Sequence, residues 1–264
     1  MIYIWVRRTV DWNDSEAVSA QLPSDLVEPV AVWNDCFSVP FHQFRQRVCD
    51  IARINHAQVH GAVCCEWDAI PDGELVLPVD DDDWFSPDIG LRLLAAREEQ
   101  SASLTWRSSF LEVPISVRHQ IGRARRRLIP ATPQRYVLTT NNYAMAKGAD
   151  TYALLKKHSE ADRYFKLKQG AGFERLDARL SIMNRTMGSR TALRQKRAPF
   201  LKQKLLLSYY RYRWLYTRNL SAELKWAQPY QNMMNELLQA LVGRSGRRSA
   251  KRCHPRGRGA RNNK

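Results

Sequence analysis

Apolar and polar residues follow each other in segments that predict strands and helices in turn. The β-branched and aromatic residues at 2–6 and at 29–33 are typical of strands. Apolar positions at helical spacing predict a helix over residues 44–63. Residues 74–79 are mostly apolar and predict a buried strand, with Pro78 at its end because proline cannot donate to a sheet ladder.

A helix is predicted soon after this strand. Ser86 is a good N-cap, Pro87 suits the first helical position, and Asp88 is favourable near the positive end of the helix dipole. Leu91 and Leu94 continue the helix on one face, which we expect to be buried.

The second half of the chain adds strands and then helices. Short strands are predicted at residues 103–106, 110–113 and 136–140, and a helix at 150–158. Pro229 opens a last helix, which Gly243 ends. Its apolar stripe consists of Tyr230, Met233 or Met234, Leu237 or Leu238, and Leu241. This order of elements predicts a mixed α/β sheet with a C-terminal helical appendix.

Charge is distributed unevenly along the chain. The net charge is +16, but residues 1–100 contain 18 acids against 7 arginines, so the excess of bases lies entirely in residues 101–264. We divide the chain into a main domain at 1–198, amphipathic helices at 199–242 and a basic tail at 243–264. The tail holds nine lysines and arginines and no acid, which predicts disorder.

Cysteine content and hydropathy predict a cytoplasmic protein. The five cysteines are odd in number, and the adjacent pair Cys64-Cys65 fits neither a disulfide framework nor a CxxC zinc site. No run approaches the roughly 18 apolar residues of a membrane span, and the N-terminal arginines follow the first apolar segment instead of preceding it as in a secretory signal.

Four consecutive aspartates, Asp80 to Asp83, follow the strand predicted at 74–79. Like charges this close repel each other unless a cation or water screens them. Ligands of open α/β sheets collect at the carboxyl ends of strands, and carboxylate oxygens suit Mg²⁺ or Mn²⁺. The alternatives are a solvated acidic loop and a structural Ca²⁺ site, although the EF-hand spacing is missing.

The sequence V-D-D-D-D-W-F-S-P-D-I at residues 79–89 resembles the DxD segment of A-type-fold glycosyltransferases, in particular of the large family-two group. Two upstream segments are similar to the same family: A-R-I-N-H-A at 52–57 and G-E-L-V at 73–76. The resemblance implies a mixed, mostly parallel sheet and a reaction that transfers a sugar from a nucleoside-diphosphate-sugar donor to a glycan, lipid-linked or protein acceptor.

The resemblance also implies roles for individual residues. Asp82 would be the principal ligand of Mn²⁺ or Mg²⁺, with Asp80 binding the metal or the ribose and Asp83 supporting it. Asp35 and Arg53 would contact the donor, Asp35 from the end of the second predicted strand.

Residues further along the chain complete the predicted site. His158 is a candidate for a distant histidine ligand of the metal. The E-D motif of the family's acceptor helix is absent, which leaves Asp150, Glu160 and Asp162 as candidate general bases.

Other readings stay open. His56, His60 and Cys64 have the i, i+4 spacing of a weak zinc signal. The aromatic and basic segment at 200–218 predicts packing against the catalytic domain, with a peripheral membrane contact as the second option. The rival function is a basic nucleic-acid-binding protein with a structural acidic domain. Under the leading hypothesis nucleic acid would bind only through the tail.

Overall fold

The computed structural model describes part of the chain. The described residues are 1–7, 10–98, 103–112, 141–149, 151–156, 173–185, 188–189, 193, 202 and 222–241. The strand predicted at 136–140, nearly all of segment 200–218 and the tail at 243–264 lie outside these residues, as do the following predicted site residues: Asp150, His158, Glu160 and Asp162.

The described residues form seven strands and several helices. The strands are β1 (Ile2–Arg7), β2 (Ala62–Cys64), β3 (Leu75–Asp80), β4 (Trp84–Phe85), β5 (Ser103–Glu112), β6 (Tyr143–Ala146) and β7 (Glu174–Arg185). The helices are α1 (Ser15–Gln21), α2 (Ser24–Cys36), α3 (Phe41–Ala57), α4 (Ile89–Glu98), α5 (Thr151–Lys156) and α6 (Gln228–Ala240), with 3-10 helices at Trp67–Ala69 and Ala222–Ala227.

All seven described strands belong to one sheet, in the order β2-β1-β3-β6-β5-β7-β4. β1 pairs in parallel with β2 and β3, and β5 pairs in parallel with β7. β6 is antiparallel to β3 and β5, and β4 is antiparallel to β7. Five described strands therefore run in one direction and two in the other. The expected mixed α/β sheet is confirmed.

Strand β3 lies inside the sheet and contributes side chains to both of its faces. Leu75, Leu77 and Val79 pack with residues of α4, whereas Val76 packs in a separate cluster with Tyr143. This alternation follows from the two-residue period of a strand. Because both faces are covered, the sequence of β3 is an almost continuous apolar run.

The largest core cluster lies where α2, α3 and α6 meet β4. Its members include Trp33, Phe41, Phe44, Trp84, Tyr230 and Met234. The predicted apolar stripe of the last helix is confirmed, because Tyr230, Met234, Leu237 and Leu241 are all buried. α6 is therefore part of the main core.

The strand predicted at 29–33 is wrong, because these residues lie inside helix α2. The buried residues of α2 are Leu26, Pro29 and Trp33, which have the spacing of a helix face. The β-branched residues between them suggested a strand, but burial of Trp33 among aromatic rings overrides local propensity. Asp35 consequently lies exposed in the last turn of a helix and not at a strand end.

Three smaller predictions also need correction. Pro78 lies within β3 and not at its end, and it is tolerated there because the pairing of β3 with β6 covers only Leu75 and Val76. The strands predicted at 103–106 and 110–113 are one strand, β5, with a register irregularity beside Arg107.

The buried face of α4 differs from the predicted one. Ile89, Leu93 and Ala96 are buried, whereas Leu91 is exposed. Among the described residues, no helix is both long and apolar enough to cross a membrane.

Candidate functional site

The four aspartates leave β3 in a tight turn. The amide of Asp83 donates to the carbonyl of Asp80 at 3.2 Å. Because the backbone turns here, the side chains do not alternate between two faces as they would in an extended strand. Asp81 and Asp82 instead contact the same cation.

That cation is Arg45, on the buried side of α3. Its Nη1 lies 2.6 Å from Oδ2 of Asp82, and its Nη2 lies 3.2 Å from Oδ1 of Asp81. The guanidinium also lies over the ring of Trp12, 5.4 Å from its centroid. A planar guanidinium suits this arrangement because it donates in two directions while one face packs on an aromatic ring.

A second buried arginine, Arg7, contacts Asp80. Parallel pairing of β1 and β3 places the two residues opposite each other, and Arg7 Nη2 lies 3.0 Å from Asp80 Oδ1. The arginine side chain is 5% exposed, but that of Asp80 is 39% exposed. Asp80 is therefore the aspartate of the four with the most open access to solvent.

The end of α3 fixes the segment that follows the turn. The side-chain amide of Asn55 donates to the carbonyl of Phe85 at 2.8 Å and accepts from its amide at 2.6 Å. His56 Nε2 lies 2.9 Å from the carbonyl oxygen of Asp83. Because these groups are buried, the hydrogen bonds bind β4 firmly to α3.

Asp83 connects the turn to the far half of the sheet. Its Oδ1 accepts the backbone amide of Asn184, near the end of β7, at 2.8 Å. Burial raises the pKa of Asp83 well above its ordinary value, and the neighbouring aspartates raise it further. Asp83 therefore has a structural role, because it connects the turn after β3 to β7.

Burial also shifts the pKa values of Asp82 and His56, which lie beside Asp83. The pKa of Asp82 is raised to about 6, because desolvation outweighs the stabilising charge of Arg45. Burial lowers the pKa of His56 to about 4, so its imidazole is neutral at pH 7. His56 therefore adds no positive charge to the acidic turn at neutral pH.

A cavity of about 430 Å³ adjoins the turn, and we call it the strand-end cavity. Val6, Cys64 and Asp81 line it from the ends of β1, β2 and β3. Helix α3 and the loop after β1 form the other walls, and their lining residues include Asp11, Trp12, Asp50 and Arg53. The cavity thus lies at the carboxyl ends of three adjacent parallel strands.

The strand order gives this position its significance. The chain places β2 on one side of β1 and then β3 on the other. In open α/β sheets, the point where the strand order reverses leaves a crevice at the carboxyl ends of the strands, where ligands bind.

The predicted site residues are distributed unequally around this cavity. Arg53 lines it, and its Nη2 lies 2.6 Å from Oδ1 of Asp50. Asp81 also lines it, although no role was predicted for this aspartate. Asp82 and Asp83 are buried beneath the turn, and Asp35 lies exposed on α2.

Sequence reasoning missed the residues that hold the turn: Arg7, Arg45 and Asn55. A signal was present for one of them. Arg45 interrupts the apolar stripe of α3 formed by Phe41, Phe44 and Val48, all of which are buried. A cation within such a stripe indicates a buried acidic partner, because an unpaired charge is too costly to bury.

The carboxylates around the turn suit a divalent cation that needs few protein ligands, but they do not form a full set of protein ligands. Among the described residues, no group of three or more histidines, cysteines, aspartates or glutamates is placed to hold a metal ion, and this includes the proposed zinc group of His56, His60 and Cys64. Mg²⁺ needs fewer protein ligands, because it is commonly bound by one or two carboxylates together with substrate phosphates and water. Asp80, whose side chain is 39% exposed, and Asp81, whose mostly buried side chain lines the strand-end cavity, are the carboxylates that fit that pattern.

Comparisons with known proteins add no assignment. No protein-family model matches the chain, and no curated protein matches it. The geometry of the strand-end cavity and the acidic turn is therefore the basis for a functional proposal.

Proposed function

We propose that the protein is a glycosyltransferase of the A-type fold that transfers a sugar from a nucleoside-diphosphate donor to a glycan or lipid-linked acceptor, with Mn²⁺ or Mg²⁺. The observation that carries the proposal is the strand-end cavity, in which Asp81 and Arg53 lie together at the carboxyl ends of β1, β2 and β3. A nucleotide is the kind of ligand that this position in an open sheet accepts.

The charge of the cavity supports a metal requirement. Asp11, Asp50 and Asp81 contribute three carboxylates to its wall, against the single guanidinium of Arg53. His56, which also lines the cavity, is neutral at pH 7 because its pKa is lowered to about 4. A diphosphate entering an acidic cavity needs a compensating cation. A bound divalent cation would supply that charge and stabilise the departing nucleoside diphosphate.

The two halves of the acidic turn take different roles under this proposal. Asp80 is the exposed carboxylate of the turn and Asp81 is the one that lines the cavity, so these two are the candidate metal ligands, and each also contacts a buried arginine. Asp82 holds Arg45 and fixes the conformation of the turn. The metal-binding role that the resemblance implied for Asp82 would require the Arg45 contact to open.

Arg53 has a separate role in donor binding. It is 69% exposed and extends from α3 toward the cavity, so it can contact a phosphate while Asp50 orients it. The general base stays a prediction, with Asp150 and Asp162 as candidates outside the described residues. An inverting reaction needs such a base within hydrogen-bond reach of the acceptor hydroxyl.

A thermal-shift titration tests the proposal. UDP-, GDP- and dTDP-sugars are added with and without Mn²⁺, and the melting temperature is recorded. A donor at about one hundred times its Kd stabilises the protein by about 2.7 kcal/mol, which corresponds to roughly 5–10 °C for a chain of this size. We expect this gain to require donor and Mn²⁺ together.

Matched variants show whether the gain in melting temperature comes from binding in the strand-end cavity. Asp81→Asn and Arg53→Gln should reduce the gain, whereas Asp72→Asn should not, because Asp72 is an 85% exposed carboxylate outside the cavity. If no donor raises the melting temperature while salt-sensitive nucleic-acid binding persists after removal of residues 243–264, the nucleic-acid-binding alternative replaces this one.

A further inference from the structure

A second cavity, of about 540 Å³, lies beside strand β4, and we call it the edge cavity. Its walls are the first turn of α4 with the residues before it, the middle of β5 and β7, and the 3-10 helix at Ala222–Ala227. It shares no lining residue with the strand-end cavity. β7 pairs with β4 only at Ser181 and Ile182, so the edge cavity lies next to the part of β7 that precedes this pairing.

The edge cavity is lined by three ion pairs. Arg92 lies 2.6 Å from Asp88, Arg107 lies 3.1 Å from Asp177, and Arg179 lies 3.0 Å from Glu223. The three guanidiniums and three carboxylates give this lining no net charge, in a chain whose net charge is +16. A polyanion would face the carboxylates, and a cationic ligand would face the arginines.

These ion pairs leave hydrogen-bonding capacity for a ligand. The side chains of Asp88, Glu223 and Asp177 are 43%, 56% and 93% exposed. Exposed ion pairs contribute little free energy, so a ligand can share or replace them at small cost. Guanidinium and carboxylate groups both have planar, two-atom hydrogen-bonding edges.

An apolar surface completes the cavity. Trp226 and Leu180 line it, and the indole Nε1 of Trp226 is buried with no hydrogen-bond partner among the described residues. The indole ring therefore offers apolar surface to the cavity, while its N–H is closed to solvent.

We propose that the edge cavity binds a neutral saccharide. A sugar hydroxyl both donates and accepts, so it satisfies arginine and carboxylate groups at once. The C–H face of a sugar ring provides apolar surface for Trp226. The volume lies within the range of ligand pockets. This inference does not depend on the donor assignment, because the two cavities have different walls.

Saturation-transfer NMR on the full chain tests whether the edge cavity binds a saccharide. The probes are the methyl glycosides of glucose, galactose, mannose and N-acetylglucosamine, together with cellobiose, lactose and chitobiose. At least one probe should bind in the millimolar range or tighter. Trp226→Ala, which removes the apolar ring, and Asp177→Asn should each weaken that binding at least tenfold. Asp72→Asn should leave it unchanged.

Three outcomes would overturn the inference: no probe binds, binding survives both edge-cavity variants, or inorganic phosphate displaces the sugar competitively. The melting temperature of each variant is measured alongside, and Asp177→Asn is the decisive variant because its 93% exposed side chain can change without unfolding the protein. Failure of nucleotide-sugars to bind would contradict the proposed function and leave this result unaffected.

Discussion

At the level of single residues, the acidic turn is stable because its counter-charge comes from the protein itself. Arg45 contacts Asp81 and Asp82, and Arg7 contacts Asp80. A guanidinium buried this deeply is favourable only with well-placed acidic partners, and removal of one partner leaves an uncompensated buried charge. The arginines thus permit four adjacent aspartates without requiring a bound ion.

Replacing Arg45 by methionine should destabilise the protein in a pH-dependent way. At pH 8 the loss should be about 3–5 kcal/mol, because Asp82 is left charged and buried. The pKa of Asp82 is already raised to about 6, and its carboxyl becomes neutral below that pH. The loss should therefore shrink as the pH falls from 8 to 5. Urea unfolding of the variant and of the wild type at pH 8 and pH 5 measures the loss of unfolding free energy at each pH.

Arg92→Met provides the matched control. Arg92 forms an exposed pair with Asp88 one helical turn away, so its removal should cost at most about 1 kcal/mol. An equal loss for Arg45→Met and Arg92→Met, or a pH-independent loss for Arg45→Met, would contradict the buried-pair account.

The sequence identified the acidic segment but not the function of each aspartate. The apolar run before Asp80 and the helix signals after Asp83 both located the segment correctly. The orientation of Asp81 and Asp82 depends on a turn and on Arg45, which is 36 residues away from Asp81. Such a distant partner leaves no local pattern, so periodicity alone could not find it.

At the level of secondary structure, α3 connects the two parts of the candidate site. One face carries Arg45, and the adjacent face carries Asp50 and Arg53 into the strand-end cavity. Its last turn holds the segment from Asp83 to Phe85. A displacement of α3 would therefore change the cavity wall and the acidic turn together.

Helix α4 packs directly against the backbone of the turn before β2 at Gly90. A Cβ atom at Gly90 would overlap the carbonyl oxygen of His60 and lie 2.8 Å from the carbonyl carbon of Gly61. Both neighbours are backbone atoms, so Gly90→Ala must separate the two elements. We expect a loss of roughly 1–3 kcal/mol or more, measured by urea unfolding.

Gly148→Ala is the comparison for this variant. The nearest atom to its added Cβ is Thr151 Oγ1 at 3.5 Å, an ordinary contact, so its stability should stay within about 0.5 kcal/mol of wild type. Equal stability of both alanine variants would show that α4 has room to move away from β2.

Prediction of elements succeeded where hydrophobic spacing was long and regular. Helix α3 and the stripe of α6 follow from spacing alone. Helix α2 was missed because its β-branched residues favour a strand, and the helix is selected by packing of Trp33 against Phe41 and Phe44. The short strand β2 has only three residues, too few for a periodic signal.

At the level of the whole molecule, the last described helix completes a core built mainly by the first part of the chain. Tyr230 stacks near Trp84 with ring centroids 5.7 Å apart, and its hydroxyl donates to Gln58 Oε1 at 2.9 Å. Ser38 Oγ donates to the carbonyl of Leu241 at 3.0 Å. The core thus joins positions about 200 residues apart in sequence.

A chain ending at residue 221 should therefore fail to fold cooperatively, whereas one ending at residue 242 should keep its thermal transition. The shorter chain loses the buried side chains of Tyr230, Met234 and Leu237 in α6 and of Leu241 just after it, each contributing about 1.5–3 kcal/mol, against a typical total stability of about 5–15 kcal/mol. Circular dichroism melts of the two chains measure the difference.

Point variants separate packing from chain length. Met234→Ala should lower the stability by about 2–5 kcal/mol because Met234 is fully buried, whereas Glu236→Ala on the exposed side should change it little. A cooperative melt of the 221-residue chain at the wild-type temperature would show that α6 is dispensable.

The edge strand β2 ends in Cys64, which lines the strand-end cavity and is the exposed thiol among the four described cysteines. Partial burial raises the pKa of this thiol, so a maleimide dye would couple to it at mildly alkaline pH. A fluorophore attached there would report directly on what enters the cavity. The protein therefore carries an attachment point for a fluorophore that allows compounds to be screened without a catalytic assay.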